Sequence, residues 1–267
     1  MMIKVSVVIP ARNEEENLPI VLKNLFSQRN VRLRVIVVDD GSKDNTSKIA
    51  REMGAEVVRL EDRGYGAHGT PHLAEVINSG LKKIGECDYV MILGADHVLP
   101  QDYLEKITGR MEKDSRIALA SGIIKGEKAV SPWVRGSGRV VRVSWWRKYG
   151  LQYPLNYGWE AWLIYRALKD GLKSIVYRDI VTEVLRPTGR RSRQYYYWGK
   201  GMRALNYYPL YATVRIVSLL LRNPKYGFYM AAGYLSKTEK IEDIADFVPR
   251  YQKEVLKKKL KKILRLD

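Results

Sequence analysis

Three short apolar runs, each ending in a polar turn, constrain the fold of this chain more than any other feature. They cover Ile3 to Ile9, Val35 to Val38 and Tyr89 to Leu93, and they are rich in Val and Ile. Runs of this kind predict buried strands of a parallel sheet. Because ligands bind at the carboxyl ends of the strands in an open α/β sheet, the three turns predict one pocket built from three loops.

Strands and helices alternate over residues 1 to about 120, which is typical of a mostly parallel sheet. Helices are predicted over 17–28, from a cap at Asp44 or Thr46 to 53, from after residue 72 to 84, and over 103–111 and 159–168. Further strands are predicted at 56–60, 117–120 and 175–177. Residues 62–72 contain three glycines and two histidines and predict a mobile loop, and residues 122–160 predict an irregular stretch.

The charge of the chain predicts a polyanionic partner. It has 267 residues, 46% of them hydrophobic, with 47 basic against 29 acidic residues and a formal charge of +18. Such a balance indicates nucleic acid, an anionic membrane face or phosphorylated substrates. Cys87 is the only cysteine, so no intrachain disulfide is expected. No apolar run reaches the roughly 18 residues of a membrane span, so we expect a cytoplasmic protein that is soluble or peripheral on the membrane.

The last third of the chain predicts basic amphipathic helices. Apolar residues recur at three- and four-residue steps from Tyr207 to Leu221 and again from Tyr251 to Leu266, with Arg and Lys between them. A basic amphipathic helix either lies in the membrane interface or packs its apolar stripe on a core. For residues 207–221 we expect core packing mixed with interface contact, and for residues 251–267 contact with an anionic membrane.

Four segments resemble family-2 glycosyltransferases of the GT-A nucleotide-sugar fold. They read VSVVIPARNEEENL, VIVVDDGSKDNT, YVMILGADHVLP and YGWEAW, and they span Val5 to Trp162. They are similar to the dolichyl-phosphate mannose synthase and polyprenyl-phosphate sugar transferase families. The resemblance implies a Rossmann-like, mostly parallel α/β sheet flanked by helices, followed by a C-terminal amphipathic helical extension. We expect a transferase domain over 1–193, with a nucleotide-binding half 1–120 and an acceptor half 121–193, and a basic helical region over 194–267.

The same resemblance assigns the site residues. It implies Glu160 as the catalytic carboxylate and Asp96 as a ligand of a Mn²⁺ or Mg²⁺ ion. His97 follows directly and is a second candidate ligand, because imidazole tolerates Mn²⁺ better than Mg²⁺. Gly94 stands where the family carries a second carboxylate. Contacts to the nucleotide sugar are expected from Pro10, Ala11, Arg12, Glu14, Asp39, Asp40, Ala95 and Asp96, and contacts to phosphate or acceptor from Arg190, Arg191 and Arg193.

The residues themselves leave alternatives open. One carboxylate of the Asp39-Asp40 pair could accept a hydrogen bond from a base, and the other could hold a ribose hydroxyl or stiffen the turn. His97 is a metal ligand or a simple loop histidine. Glu160 is a catalytic group or a helix N-terminal residue favoured by the macrodipole. The arginines at 186, 190, 191 and 193 form a phosphate grip or a solvated charge run.

Together with the resemblance, these observations predict a glycosyltransferase at a membrane surface, and the resemblance implies that it inverts the configuration at the anomeric carbon. Its donor would be a UDP- or GDP-linked sugar, and its acceptor a lipid phosphate or a glycan. The alternatives are a soluble glycosyltransferase acting on a glycan or small acceptor, and a non-catalytic nucleotide-sugar-binding relative. We expect no nucleic-acid partner, since the sequence has no recognisable binding module for one. The tryptophans at 133, 145, 146 and 159 could stack on sugars, face lipid or lie in the core.

Overall fold

The structure is a computed structural model that describes residues 2–67, 69–186 and 192–264. Its packing separates two compact units. The first contains residues 1–68, 72–153 and 170–188, and the second contains residues 69–71, 154–169 and 189–267. The domain boundary expected at residue 193 stays a prediction, because compact packing alone does not define a domain.

An eight-stranded sheet forms the centre of the first unit. Its strands, within the described residues, are β1 Ile3–Ala11, β2 Val31–Asp39, β3 Glu56–Arg59, β4 Tyr89–Ile92, β5 His97–Val98, β6 Ile117–Ile124, β7 Arg139–Arg142 and β8 Lys173–Val184. Their order across the sheet is β3-β2-β1-β4-β7-β6-β8-β5. The pairs β1–β2, β1–β4, β2–β3 and β6–β8 are parallel, whereas β7 runs antiparallel to β4 and β6, and β5 antiparallel to β8. The predicted mostly parallel α/β sheet is confirmed.

The register of β1 brings the three predicted turns to one edge. Ala11 at the end of β1 pairs with Asp39 at the end of β2, and Val8 pairs with Ile92 at the end of β4. All four residues of β4 and the last five of β2 are buried. Strands covered on both faces read as unbroken apolar runs, which is why these three were visible in the sequence.

Helices cover the sheet of the first unit. They are α1 Leu18–Phe26, α2 Thr46–Glu52, α3 Pro71–Leu81, α4 Tyr103–Lys113 and α5 Val143–Trp146, with a 3₁₀ turn at Arg147–Tyr149. The apolar residues that recur at helical spacing in α1 are buried except for Phe26, which is exposed; the buried ones are Leu18, Val21, Leu22 and Leu25. The predicted mobile loop ends earlier than expected, because α3 begins at Pro71 and His72 is buried in its first turn. His68 lies outside the described residues.

Three strands differ most from the sequence-based expectation, and the first of them, β5, was not predicted at all. β7 lies inside the stretch predicted to be irregular, and β8 covers twelve residues where only 175–177 were predicted. In β7, Arg139 is almost fully buried and donates to the backbone carbonyls of Arg135 and Val134. A buried arginine hides the apolar character of a strand that sequence patterns depend on.

The described part of the second unit is helical. Its helices are α6 Trp159–Lys169, α7 Ser192–Ala204, α8 Pro209–Arg222, α9 Pro224–Leu235 and α10 Phe247–Leu264, with a 3₁₀ turn at Glu242–Ile244. The start of α10 is packed, since Val248 and Gln252 are buried and the Gln252 amide donates to the Tyr165 hydroxyl at 3.0 Å. The predicted C-terminal helices are therefore confirmed. Among the described residues, none of the helices combines the length and apolar character needed to span a bilayer.

A hydrogen-bonded chain through His97 fixes the loop after β4. The Gly94 amide donates to Ser137 Oγ at 2.7 Å, and Ser137 Oγ lies 2.6 Å from His97 Nδ1. On the other side of the ring, Nε2 lies 2.7 Å from Thr182 Oγ1, whose hydroxyl donates to the Ile123 carbonyl at 3.1 Å. Each hydroxyl then donates once and accepts once if the imidazole is neutral and carries its hydrogen on Nε2.

The surroundings of His97 keep its ring neutral. Burial, followed by the positive charge of Arg135, lowers the pKa of His97 from its ordinary 6.5 to about 4. A charged imidazole would also have to donate from Nδ1 to Ser137 Oγ, which would reverse the hydroxyl and break the order of the chain. The β4 loop is therefore held by a neutral network.

We expect Gly80→Ala to destabilise the protein. A Cβ at Gly80 in α3 would lie 2.5 Å from Val8 Cγ1 and 2.8 Å from Val38 Cγ2, so the helix would have to move off the sheet. Overpacking of this kind costs about 1–3 kcal/mol of unfolding free energy. Gly109→Ala in α4 is the matched control, because a Cβ there meets nothing within 4 Å. It should stabilise by about 0.5–1 kcal/mol. Urea denaturation of both variants checks this, and equal effects would contradict the close packing of α3.

We expect acid to destabilise the wild-type protein through His97. Because its folded pKa of about 4 lies below its ordinary 6.5, the unfolded chain binds the extra proton as pH falls through that window. The stabilising contribution is full above pH 7 and shrinks by about 3 kcal/mol on going to pH 4. His97→Gln does not titrate, so its unfolding free energy should lose about 3 kcal/mol less over the same interval. Both proteins are measured by urea denaturation across this pH range. If their unfolding free energies fall by the same amount, His97 is not the group responsible.

Candidate functional site

The loops that follow β1, β2 and β4 carry the predicted nucleotide-sugar contacts, and all of them lie in the first unit. Pro10 and Ala11 are the last residues of β1, and Arg12, Asn13 and Glu14 follow them. Asp39 ends β2, and Asp40 and Gly41 follow. Ala95 and Asp96 lie between β4 and β5. The sequence-predicted groups at the sheet edge are thus brought together by the strand register.

Arg12 ties the β1 loop to the β2 loop. Its Nη2 lies 2.6 Å from Asp62 Oδ1, and its Nη1 donates to the Asp40 carbonyl. The hydrogen bond to Asp62 raises the pKa of Arg12. Gly41 has φ +68°, and a Cβ on it would lie 2.4 Å from Asp62 Cα, so only glycine lets Asp62 lie this close. Arg12 and Asp62 thus form a wall of paired charges beside the turn that follows β2.

An open depression of about 700 Å³ lies along this wall. Its lining combines backbone of the β2 turn with charged side chains that follow β3. The lining residues are Gly41, Ser42, Lys43, Arg59, Leu60, Glu61 and Asp62. A polar, open lining of this kind suits a hydrated ligand more than an apolar one.

Asp39 stiffens the turn after β2. Its side chain is fully buried, with Oδ1 accepting from the Ser42 amide at 2.8 Å and Oδ2 accepting from the Ser47 hydroxyl. Of the two roles that the sequence left open for this pair, turn stiffening is the one that these contacts favour for Asp39.

Asp40 is held by a histidine that the sequence analysis assigned to a loop. Asp40 Oδ1 lies 2.9 Å from His72 Nε2, while His72 Nδ1 faces Arg63 at 3.1 Å and Glu75 at 3.2 Å. The hydrogen bond from Arg63, followed by that from His72, lowers the pKa of Glu75 to about 2. His72 thus belongs to the site. The spacing of His72 and Glu75 within the first turn of α3 is the only sequence signal that hinted at it.

Arg186 joins the β1 loop to the β4 loop. Its Nη2 pairs with Glu14 Oε1, and its Nε lies 3.4 Å from Asp96 Oδ2. The Leu185 amide donates to the Asp96 carbonyl at 2.8 Å, which fixes the chain just before Arg186. We call Glu14, Asp96 and Arg186 the Arg186 cluster. The shared guanidinium thus connects the loops after β1 and β4 with the chain that follows β8. Arg186 is half-exposed, so an anionic ligand can still reach it.

The two predicted metal ligands differ in how they fit a divalent cation. Asp96 is partly exposed and offers a carboxylate oxygen, which hard cations prefer. His97 points into the core with both ring nitrogens engaged by Ser137 and Thr182, which does not favour it as a ligand. A Cβ at Gly94 would lie 3.1 Å from both Asp96 Oδ1 and Ser137 Oγ. Among the described residues, no group of three or more His, Cys, Asp or Glu could hold a metal ion.

The other predicted site residues belong to the second unit. Glu160 is exposed in the first turn of α6. Arg193 in α7 lies with its guanidinium 5.4 Å from the centroid of the Tyr197 ring, and Lys200 Nζ lies 4.7 Å from that of Tyr157. Arg190 and Arg191 lie outside the described residues. Of the tryptophans considered for sugar stacking, Trp145, Trp146 and Trp159 are buried in the core.

Curated relatives share sequence with parts of the chain. A 4,4'-diaponeurosporenoate glycosyltransferase of Staphylococcus haemolyticus is 60% identical over 56 residues, which is 21% of this chain and 15% of that protein. An undecaprenyl-phosphate 4-deoxy-4-formamido-L-arabinose transferase of Pseudomonas savastanoi is 26% identical over 68% of this chain and 53% of its own length. A dolichol-phosphate mannosyltransferase of Pyrococcus furiosus is 30% identical over 49% of this chain and 36% of its own length. The chain thus spans about half or less of these relatives.

Solved structures and a family model complete the comparison. A mannosyltransferase from Pyrobaculum calidifontis in complex with GDP-Man and Mn²⁺ matches with a TM-score of 0.61 and 18% identity, over 88% of this chain and 71% of that one. S. aureus TarS in complex with UDP matches with a TM-score of 0.57 and 16% identity, over 75% and 64%. These likenesses confirm the predicted GT-A fold. The family model described as glycosyl transferase family 2 matches residues 6–172. The predicted family is therefore confirmed, and this chain belongs to glycosyltransferase family 2.

Proposed function

We propose that this protein transfers a sugar from a nucleoside-diphosphate donor, linked to UDP or GDP, to a lipid-linked phosphate at a membrane surface. The observation that carries the proposal is the register of β1, which aligns the ends of β2 and β4 with its own and gathers the family-2 motifs there. The named relatives that act on undecaprenyl phosphate and dolichol phosphate support the acceptor class. A glycan acceptor remains the alternative, with the same donor site.

The nucleotide would bind at the loops after β1 and β2. We assign Asp40, held by His72, to the donor-binding surface, and Asp39 to stiffening the turn beneath it. Arg12 and Asp62 would form the wall against which the nucleoside rests. Pro10, Ala11 and Ala95 would let backbone approach the donor closely.

The diphosphate would bind next to the Arg186 cluster. Asp96 would hold a Mn²⁺ or Mg²⁺ ion that takes its other ligands from donor phosphates and water. Such an ion offsets the charge that develops on a departing diphosphate. Once Asp96 has a metal partner, Arg186 would be free to contact phosphate bidentately.

Transfer would proceed by one displacement with inversion. The bond between the anomeric carbon and the donor phosphate oxygen breaks, its electron pair leaves with the diphosphate, and an acceptor oxygen forms the new bond. For a hydroxyl acceptor, we propose that Glu160 removes the proton as a general base. A phosphate acceptor is largely ionised already, since its second pKa is about 6, and Glu160 would then orient it. Arg190, Arg191 and Arg193 would contact the acceptor phosphate, on the cytoplasmic membrane face.

Donor binding should raise thermal stability in a metal-dependent way. A ligand that binds only the folded protein stabilises it by about 2.7 kcal/mol at a hundred times its Kd. We expect one member of a panel of UDP- and GDP-sugars to raise the melting temperature with Mn²⁺ and much less without it. Mn²⁺ alone should bind more weakly than micromolar, because Asp96 is the one predicted ligand that fits. No shift with any donor would overturn the proposed function.

Variants of the Arg186 cluster sharpen this test. Arg186→Met should weaken the donor shift and tighten the binding of Mn²⁺ alone, because it removes a positive charge 3.4 Å from Asp96. Arg178→Met, at an exposed position of β8, is the matched control and should change neither. If Arg186→Met weakens donor and metal alike, the proposed exchange of partners at Asp96 is wrong.

Glu160→Gln should abolish transfer while leaving donor binding intact. Loss of a general base or orienting carboxylate costs about 10²–10⁴ in rate, whereas the donor contacts assigned above do not involve Glu160. The measurement is transfer of radiolabelled sugar to polyprenyl phosphate, paired with the donor thermal shift. Glu239→Gln, another exposed glutamate of the second unit, should retain activity. Full activity of Glu160→Gln would exclude Glu160 from catalysis.

A further inference from the structure

The outward side of α8 is apolar and exposed. Among the residues of this helix, only Ala212 and Ile216 are buried. Leu210, Val214, Val217 and Leu221 are exposed by 45% to 83%. Steps of four, three and four residues place these side chains on one stripe of an α-helix. The stripe lies opposite the buried face of α8, which contains Ala212 and Ile216 and packs on the rest of the second unit.

The next helix repeats this arrangement. In α9, Gly227, Met230 and Gly233 are buried, while Phe228 and Leu235 are 69% and 82% exposed and lie seven residues apart on one face. Asn223 alone separates α8 from α9, and its side chain accepts a hydrogen bond from the Tyr226 amide at 3.1 Å. We call the six exposed side chains the α8–α9 patch: Leu210, Val214, Val217, Leu221, Phe228 and Leu235.

So many exposed apolar side chains on two adjoining helices need a partner. Single exposed apolar residues are normal, but a grouped set marks a surface that binds protein or membrane. Contact between water and these apolar side chains is unfavourable, and burial against a partner would remove that contact.

The charge around the patch selects the partner. From Val184 to Thr238 the sequence contains ten Arg and Lys residues and no Asp or Glu. Arg215, Arg222 and Lys225 belong to α8 and α9 themselves and are exposed. A second copy of the chain would bring two such basic surfaces into contact, which is repulsive. Anionic lipid headgroups satisfy the cations, while the acyl boundary accepts the apolar stripe.

We infer that the α8–α9 patch docks the protein on an anionic membrane, with both helices lying along the surface. The inference rests on the proposed function for the lipid-linked acceptor that such docking would serve, but vesicle binding itself requires no donor. It places membrane contact on α8 and α9, whereas the sequence analysis expected core packing mixed with interface contact for residues 207–221 and membrane contact for residues 251–267. The start of α10 is instead packed through Val248 and Gln252.

Vesicle sedimentation tests the inference with the full chain. Vesicles of phosphatidylcholine and phosphatidylglycerol should bind the wild-type protein, and binding should weaken with rising salt because the cations are screened. The triple variant Leu221→Ser, Phe228→Ser and Leu235→Ser should lose at least about tenfold in partition coefficient. These side chains are exposed, so the variant should keep the wild-type melting temperature.

The matched control removes three equally exposed apolar side chains from the first unit. Met2→Ser, Ile20→Ser and Val130→Ser, at positions 60%, 50% and 58% exposed, should bind vesicles like the wild type. Wild-type binding by the α8–α9 variant would overturn the inference. So would an absence of vesicle binding by the wild type. If the wild-type protein is instead a dimer and the α8–α9 variant is a monomer, the patch is an interface between copies of the chain.

The outcome is independent of the donor test. The thermal shift with nucleotide sugar is measured without vesicles, and the α8–α9 variant should retain it. A protein that binds vesicles but no nucleotide sugar would support the docking surface and overturn the proposed function. A protein that binds donor but not vesicles would overturn the docking surface and support only the donor site of the proposed function.

Discussion

Parallel pairing of β1 with both β2 and β4 is the constraint on which the rest of the first unit depends. The pairing of Ala11 with Asp39 and of Val8 with Ile92 leaves no freedom for where the three following loops emerge. A slip of one residue in any of these pairings would turn every side chain of the strand to the other face. Side chains are close-packed on both faces, so a slip would replace fitted side chains by ones of the wrong shape. The packing that stabilises the sheet therefore also aligns the functional loops.

Charged side chains then connect these loops in pairs. Arg12 joins the first loop to the second, and Arg186 joins the first loop to the third. In both cases the arginine is paired with carboxylates, Arg12 with Asp62 and Arg186 with Glu14 and Asp96, before any ligand binds. A phosphorylated ligand must compete with these carboxylates, which makes the arrangement sensitive to the charge of whatever accompanies it.

Sequence patterns predicted the strands and helices that have a clear apolar pattern of their own. The strands β1, β2 and β4 and the stripe of α1 were visible because each is locally apolar with a clear period. β7 and most of β8 were missed, since Arg139, Arg178 and Asp179 interrupt their apolar character. The partners of Asp40 and Glu14 could not be predicted either. His72 is 32 residues away from Asp40, and Arg186 is 172 residues away from Glu14. Such pairs are set by tertiary structure, which local patterns do not contain.

The space beside Gly94 limits which substitutions the loop after β4 can accept. The Ser137 hydroxyl and the Asp96 carboxylate would each lie only 3.1 Å from a Cβ at position 94, so any side chain there would press on both. An aspartate introduced there alone would displace the hydroxyl that orders His97 and Thr182. Positions 94 and 137 are therefore coupled, and a carboxylate at 94 would require the serine side chain to shift or to change with it.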